Sequence, residues 1–209
     1  MAKLNQKTVQ LCCTAVLMAL IIFMTLTGFA YIPVGPLKLT LNALPVAIGG
    51  AVLGPYAGAV LGATFGLTSF ATCFGMDPFG TVLYGIDPVK TFIMCVVPRV
   101  LCGLLPALLC VLLRKNSKNR HWNQVWTSAL SCGLTALLNT LLFLGALWLL
   151  FGHEMATNEQ VIAALGGQAV TGFIAVLVGF AGVNAILEVA LNLTAGTAVS
   201  KALLHALRR

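Results

Sequence analysis

Apolar residues in this chain fall in long blocks rather than in alternation, at about 8–30, 42–54, 56–72, 88–113, 125–151 and 161–206. A hydrocarbon core is crossed by about 20 helical residues. Backbone groups inside lipid have no water to bond, so helices are the natural reading of such blocks. The second and third blocks are short and meet at Gly54-Pro55, where proline ends one helix and begins the next. They predict a thin or tilted pair. The first block follows Lys3 and Lys7. It is longer than the roughly 7–15 apolar residues of a signal peptide and lacks a convincing cleavage site, so it predicts a retained first helix.

Basic residues set the expected orientation. Lys3 and Lys7 precede the first block, Arg114, Lys115, Lys118 and Arg120 separate the fourth from the fifth, and Lys201, Arg208 and Arg209 end the chain. The positive-inside rule assigns all three groups to the cytoplasm. Two crossings within 161–206 would leave Arg208 and Arg209 outside, so the block predicts one crossing from about 180 to 206. Segment 161–179 then lies on the outer side, as a short helix dipping into the outer leaflet. Asp77, Asp87, Glu154 and Glu159 fall outside in the same scheme. The expectation is a six-helix all-α bundle, residues 1–209 forming one membrane domain with both ends cytoplasmic. Its outer loops lie at about 30–42, 73–88 and 152–179, and loops on a rigid scaffold are where binding tends to sit.

Composition supports lipid as the solvent: 59% of the 209 residues are hydrophobic and 8% charged, against about 25% charged in soluble domains. The net charge of +7 therefore reads as a topology signal and not as a nucleic-acid surface. Seven cysteines, mostly within apolar blocks, contain no C-x-x-C pair and read as small fillers rather than metal ligands. No phosphate-binding G-x-x-x-x-G-K-[ST], no H-E-x-x-H and no G-x-S-x-G occurs, so neither ATP hydrolysis nor hydrolase chemistry is expected of this chain. No cofactor or metal is called for.

Polar residues inside apolar blocks carry more information, because a charge at the bilayer centre costs about 2.5–3.5 kcal/mol on insertion scales and must be paired or face a cavity. Thr91, Cys95 and Arg99 share one helical face in the fourth block. Ser128, Ser131, Thr135 and Asn139 share one in the fifth, and Asn184, Glu188 and Asn192 in the sixth. Three polar seams then converge on an outward-opening pocket, with Arg99, Asn139, Asn184, Glu188, Thr135 and Thr91 as its candidate lining. The alternative is an internal Arg99–Glu188 ion pair with the amides as glue. Glycines at 50, 54, 58, 62 and 66 make a bald stripe that allows close helix approach, and Ala15-x-x-x-Ala19 offers a second small-residue face.

The chain resembles the substrate-binding S components of energy-coupling factor (ECF) vitamin transporters over nearly its whole length. The resemblance is carried by the short second and third helices, Ala15-x-x-x-Ala19, and the runs 32–38, 44–49 and 53–58. Val97-Pro98-Arg99, Leu138-Asn139-Thr140 and 184–188 add to it and look most like the pantothenate-type subgroup. At 42–44 the chain reads Asn-Ala-Leu, where that subgroup leads one to expect a histidine, so folate, riboflavin or a related vitamin stays open. The resemblance implies a bacterial plasma-membrane protein that is not an enzyme. Such a protein captures a vitamin from outside beneath outer loops, docks through Ala15 and Ala19 on a transmembrane T component, and works with two cytoplasmic ATPases. A stand-alone secondary transporter is the competing function, and it would need inverted repeats that the sequence does not show.

Overall fold

The computed structural model describes residues 6–34, 37–115, 120–164, 172 and 182–206, with side chains over 7–30, 40–115, 126–164, 172 and 185–203. Its elements are α1 (Gln6–Leu26), β1 (Tyr31–Val34), β2 (Leu37–Thr40), α2 (Ala43–Leu53), α3 (Pro55–Thr72), α4 (Pro78–Ile86), α5 (Pro88–Lys115), α6 (Arg120–Thr157), α7 (Glu159–Ala164), α8 (Gly182–Leu191), a π-helical turn (Asn192–Gly196) and α9 (Thr197–Ala206). Among the described residues four segments are long and apolar enough to cross a membrane: Lys7–Leu26, Pro88–Lys115, Trp126–Thr157 and Ala185–Leu203. The last joins α8, the π turn and α9 into one rod. α2 is apolar but only 11 residues long. Of segment 161–179, residues 161–164 belong to α7 and the remainder, Gly172 excepted, lies outside the described residues.

The stretch expected as a plain outer loop at 30–42 instead carries an antiparallel hairpin, in register Tyr31 with Thr40 and Val34 with Leu37. β-branched and aromatic residues flank Gly35-Pro36, which favours extended strands around a break. The hairpin is tied to α1 at its base. Gly28 turns the chain at φ 78°, a conformation that lacks a steric penalty only for glycine. Ala30 N–H then donates to Met24 O at 2.9 Å, and Leu41 N–H to Ala30 O at 2.9 Å.

The glycine stripe performs two jobs. Gly54, at φ 103°, is the sharp break that lets Pro55 open α3. Gly58, Gly62 and Gly66 lie against the backbone of α5. A Cβ at Gly62 would run into the Arg99 carbonyl, one at Gly58 into the Gly103 carbonyl, and one at Gly66 would stand 2.8 Å from Val96 Cα. The stripe thus sets α3 backbone-to-backbone on the middle of α5, which fixes where Arg99 sits.

α6 has 38 residues, about 57 Å of helix, so it outruns a hydrocarbon core of about 30 Å. Its final turns pack with α4, α5 and α7 in an apolar cap built on Leu83, Met94, Leu147, Phe151, Met155 and Val161. Lys90 closes the polar rim of this cap, 3.6 Å from Glu154 and 3.9 Å from Asp87.

Replacing Gly62 with Ala should force α3 away from α5 and cost about 1–3 kcal/mol of stability, the usual range for an overpacked contact. Gly145→Ala, where an added Cβ meets nothing within 4 Å, should cost none. Thermal melting of the two variants in detergent checks this, and equal melting points would contradict the backbone contact.

Candidate functional site

Pro98 and Pro106 lie inside α5. In an α-helix the N–H of residue 98 would bond the carbonyl of residue 94, and proline has no N–H to give. Met94 O is therefore released from the helix ladder. The next residue takes its place: Arg99 Nη1 donates to Met94 O at 2.9 Å. This bond curls the Arg99 side chain back toward the N-terminal end of α5. The guanidinium then lies over two aromatic rings, with Cζ 4.1 Å from the Phe143 centroid on α6 and 5.5 Å from the Phe65 centroid on α3. Such contacts are worth about 2 kcal/mol or more when desolvated.

Arg99 is 5% exposed, and its Nε has no hydrogen-bond partner. Among the described residues no carboxylate comes within ion-pair distance of it. The internal Arg99–Glu188 pair weighed from the sequence is therefore not formed. The reason lies in the hairpin. Glu188 Oε1 accepts from Thr40 N–H at 2.8 Å and from Thr40 Oγ1 at 2.7 Å, and Glu188 Oε2 accepts from Thr140 Oγ1 at 3.3 Å. Hydroxyl and amide donors that carry no charge thus satisfy the buried carboxylate.

Asn139 joins the two halves of the site. Its Nδ2 donates to Thr40 Oγ1 at 3.4 Å, while its Oδ1 is buried without a donor. Phe143, under the Arg99 guanidinium, is one turn further along α6 on the same face. Asn192 lies in the π turn one turn after Glu188. It donates to the Glu188 carbonyl at 2.9 Å and keeps its own Oδ1 unpartnered. A π turn beside a buried carboxylate fits the frequent use of such turns at functional positions.

The structure thus brings Arg99, Asn139 and Glu188 to one region, through Phe143, Thr40 and Thr140. Thr135 and Thr91 do not join them by any hydrogen bond among the described residues. Thr135 Oγ1 donates to Ser131 O at 2.9 Å and Thr91 Oγ1 to Asp87 O at 2.8 Å, each within its own helix. Asn184 stands in α8 one turn before Glu188, and its side chain lies outside the described residues. Ala15 and Ala19 are both exposed on α1. Sequence reasoning missed Thr40, whose partner Glu188 is 148 positions away, and no local pattern marks such a contact. The role of Pro98 could have been read, since a proline four residues after Met94 must orphan that carbonyl.

Comparison with known proteins gives the family. Residues 9–198 match the family described as ECF transporter, substrate-specific component. The chain is 35% identical over 134 residues to the pantothenic acid transporter PanT of Lactococcus lactis subsp. cremoris (strain MG1363). That alignment takes in 57% of this chain and 61% of the relative, so less than two thirds of the relative's length is spanned. With most of its residues inside the family pattern and four helices of membrane-spanning length, the chain is a multi-pass membrane protein and belongs to the family of substrate-specific components of ECF transporters.

Proposed function

We propose that the chain is the high-affinity pantothenate-binding subunit of an ATP-driven importer. The observation that carries the reading is Arg99: a buried guanidinium with an unpartnered Nε and no carboxylate in ion-pair distance among the described residues. A guanidinium stays charged when desolvated and presents a planar fork that suits a carboxylate. Pantothenate carries one carboxylate, one amide and two hydroxyls. Its carboxylate answers Arg99, and its hydrogen-bonding groups answer Asn139, with Asn184 a further candidate. The name of the 35%-identical relative points to the same vitamin.

Residues 1–209 act in this reading as one substrate-binding domain of six crossings with both ends cytoplasmic, in the plasma membrane of a bacterium. α1, α2, α3, α5, α6 and the α8–α9 rod supply the crossings. Ala15 and Ala19 dock on a transmembrane partner, the T component, which is driven by two cytoplasmic ATPases. The exposure of both alanines and the absence of a phosphate-binding loop in the sequence support that division of labour.

Three measurements test these statements. Calorimetry on the purified protein should find Arg99→Ala weaker for pantothenate by about 2–5 kcal/mol, the cost of truncating a buried charged contact, or roughly 30-fold to several thousand-fold. Arg99→Lys should recover only part of the loss, and the alcohol analogue of pantothenate should bind the wild-type protein poorly. Equal affinity for acid and alcohol would remove Arg99 from the site. Ala15→Trp combined with Ala19→Trp should abolish cellular uptake while leaving binding intact, since bulk blocks close helix approach. Normal uptake by that double variant would end the docking role. An impermeant thiol reagent should reach a cysteine placed at Asn158 in intact cells, and one placed at Ser117 only after permeabilisation. The reverse pattern would overturn the orientation.

A further inference from the structure

Thr40 stands between a carboxylate that can only accept and an amide that can do either. Its hydroxyl has one proton, and at 2.7 Å from Glu188 Oε1 that proton is committed to the carboxylate. What Thr40 Oγ1 has left to offer is a lone pair. Only the NH2 end of Asn139 can use it, at 3.4 Å. The amide is thereby oriented with Oδ1 turned away from Thr40, and this oxygen is buried with no donor. Asn139 itself is 5% exposed, and a buried acceptor left without a donor is costly.

We infer that Glu188, Thr40 and Asn139 form a polarity relay that fixes Asn139 Oδ1 as an acceptor for a hydroxyl or amide N–H of the ligand, with Glu188 and Thr40 acting as positioning residues and not as ligand contacts. This inference rests on the pantothenate reading and refines it. Both Glu188 oxygens have protein donors in reach, Thr40 on Oε1 and, on Oε2, a Thr140 hydroxyl that also lies 3.4 Å from Ala136 O. The consequence is a specificity rule. The site demands a carboxylate at Arg99 and, about a helical turn along α6 from the Phe143 ring, a hydrogen-bond donor at Asn139. A ligand with an acceptor at that place would face Oδ1 and be rejected, because a mispaired buried polar group costs far more than a missing methylene.

The test removes the relay's hydroxyl and nothing else. Thr40→Val keeps the shape of the side chain and the backbone N–H bond to Glu188, but Asn139 is then free to flip. It should weaken pantothenate binding about tenfold, the scale of one well-placed hydrogen bond, and Thr40→Ser should restore it. The decisive comparison uses three pantothenate analogues, two each lacking one hydroxyl and one methylated at the amide nitrogen. For one of the three the Thr40→Val penalty should vanish, because the donor served by Asn139 is already gone. If the substitution merely loosened the hairpin, the penalty would be the same for pantothenate and all three analogues, and that result overturns the relay. A Thr40→Val protein that melts well below wild type, with Thr40→Ser also failing to restore binding, counts against it in the same way. Wild-type protein that binds no pantothenate overturns the vitamin assignment and this inference together, whereas wild-type binding with a uniform penalty overturns the relay alone.

Discussion

The arrangement of the site depends on one missing hydrogen bond. Pro98 withholds an N–H from α5, and the Met94 carbonyl is left for Arg99 to satisfy. Each of these features is unfavourable alone. A proline in a helix interior costs about 3 kcal/mol, and a cation in the bilayer centre costs about as much on insertion scales. Together they offset one another, since the guanidinium caps the carbonyl that the proline released. The same bond sets the direction of the side chain and so selects its neighbours. Phe143 and Phe65 both lie against the guanidinium, and Gly62 on α3 gives the Arg99 carbonyl room to approach. A bulkier residue at 62 would move the helix that carries Phe65.

Glu188 shows the complementary solution. A buried carboxylate would ordinarily look for a cation, and Arg99 is the obvious one within the bundle. It is satisfied instead by the end of β2 and by α6, through donors that carry no charge. Had the two paired, the guanidinium would already hold a carboxylate and would attract a second one weakly. Keeping them apart leaves a buried guanidinium with no carboxylate beside it among the described residues. It also ties the hairpin to α8 across 148 positions of sequence, so a segment without a core of its own is held by the carboxylate buried in the bundle.

Much of this could be read from the sequence, and what could not is instructive. The apolar blocks gave the long helices, because lipid leaves the backbone few alternatives. Periodicity placed Arg99, Asn139 and Glu188 on inward faces, and all three are buried. The stripe at 50–66 read correctly as close packing, with Gly54 as a turn in its midst. Pairing was less legible. Thr91 and Thr135 share faces with the site residues but bond within their own helices. Hydroxyls can always do this, and periodicity cannot tell which will. The 30–42 segment read as a loop because its partner in the bundle, Glu188, is remote, and a two-stranded hairpin is marginal without such an anchor.

The claim on which the rest turns is that Arg99 receives the carboxylate of the ligand. Solid-state NMR tests it most directly, with pantothenate 13C-labelled at the carboxylate bound to protein 15N-labelled at arginine. Guanidinium–carboxylate hydrogen bonds bring nitrogen and oxygen to about 2.7–2.9 Å. Strong dipolar coupling between the carboxylate carbon and a guanidinium nitrogen, lost in Arg99→Lys, is the expected result. Bound pantothenate whose carboxylate shows no coupling to any arginine nitrogen would contradict it.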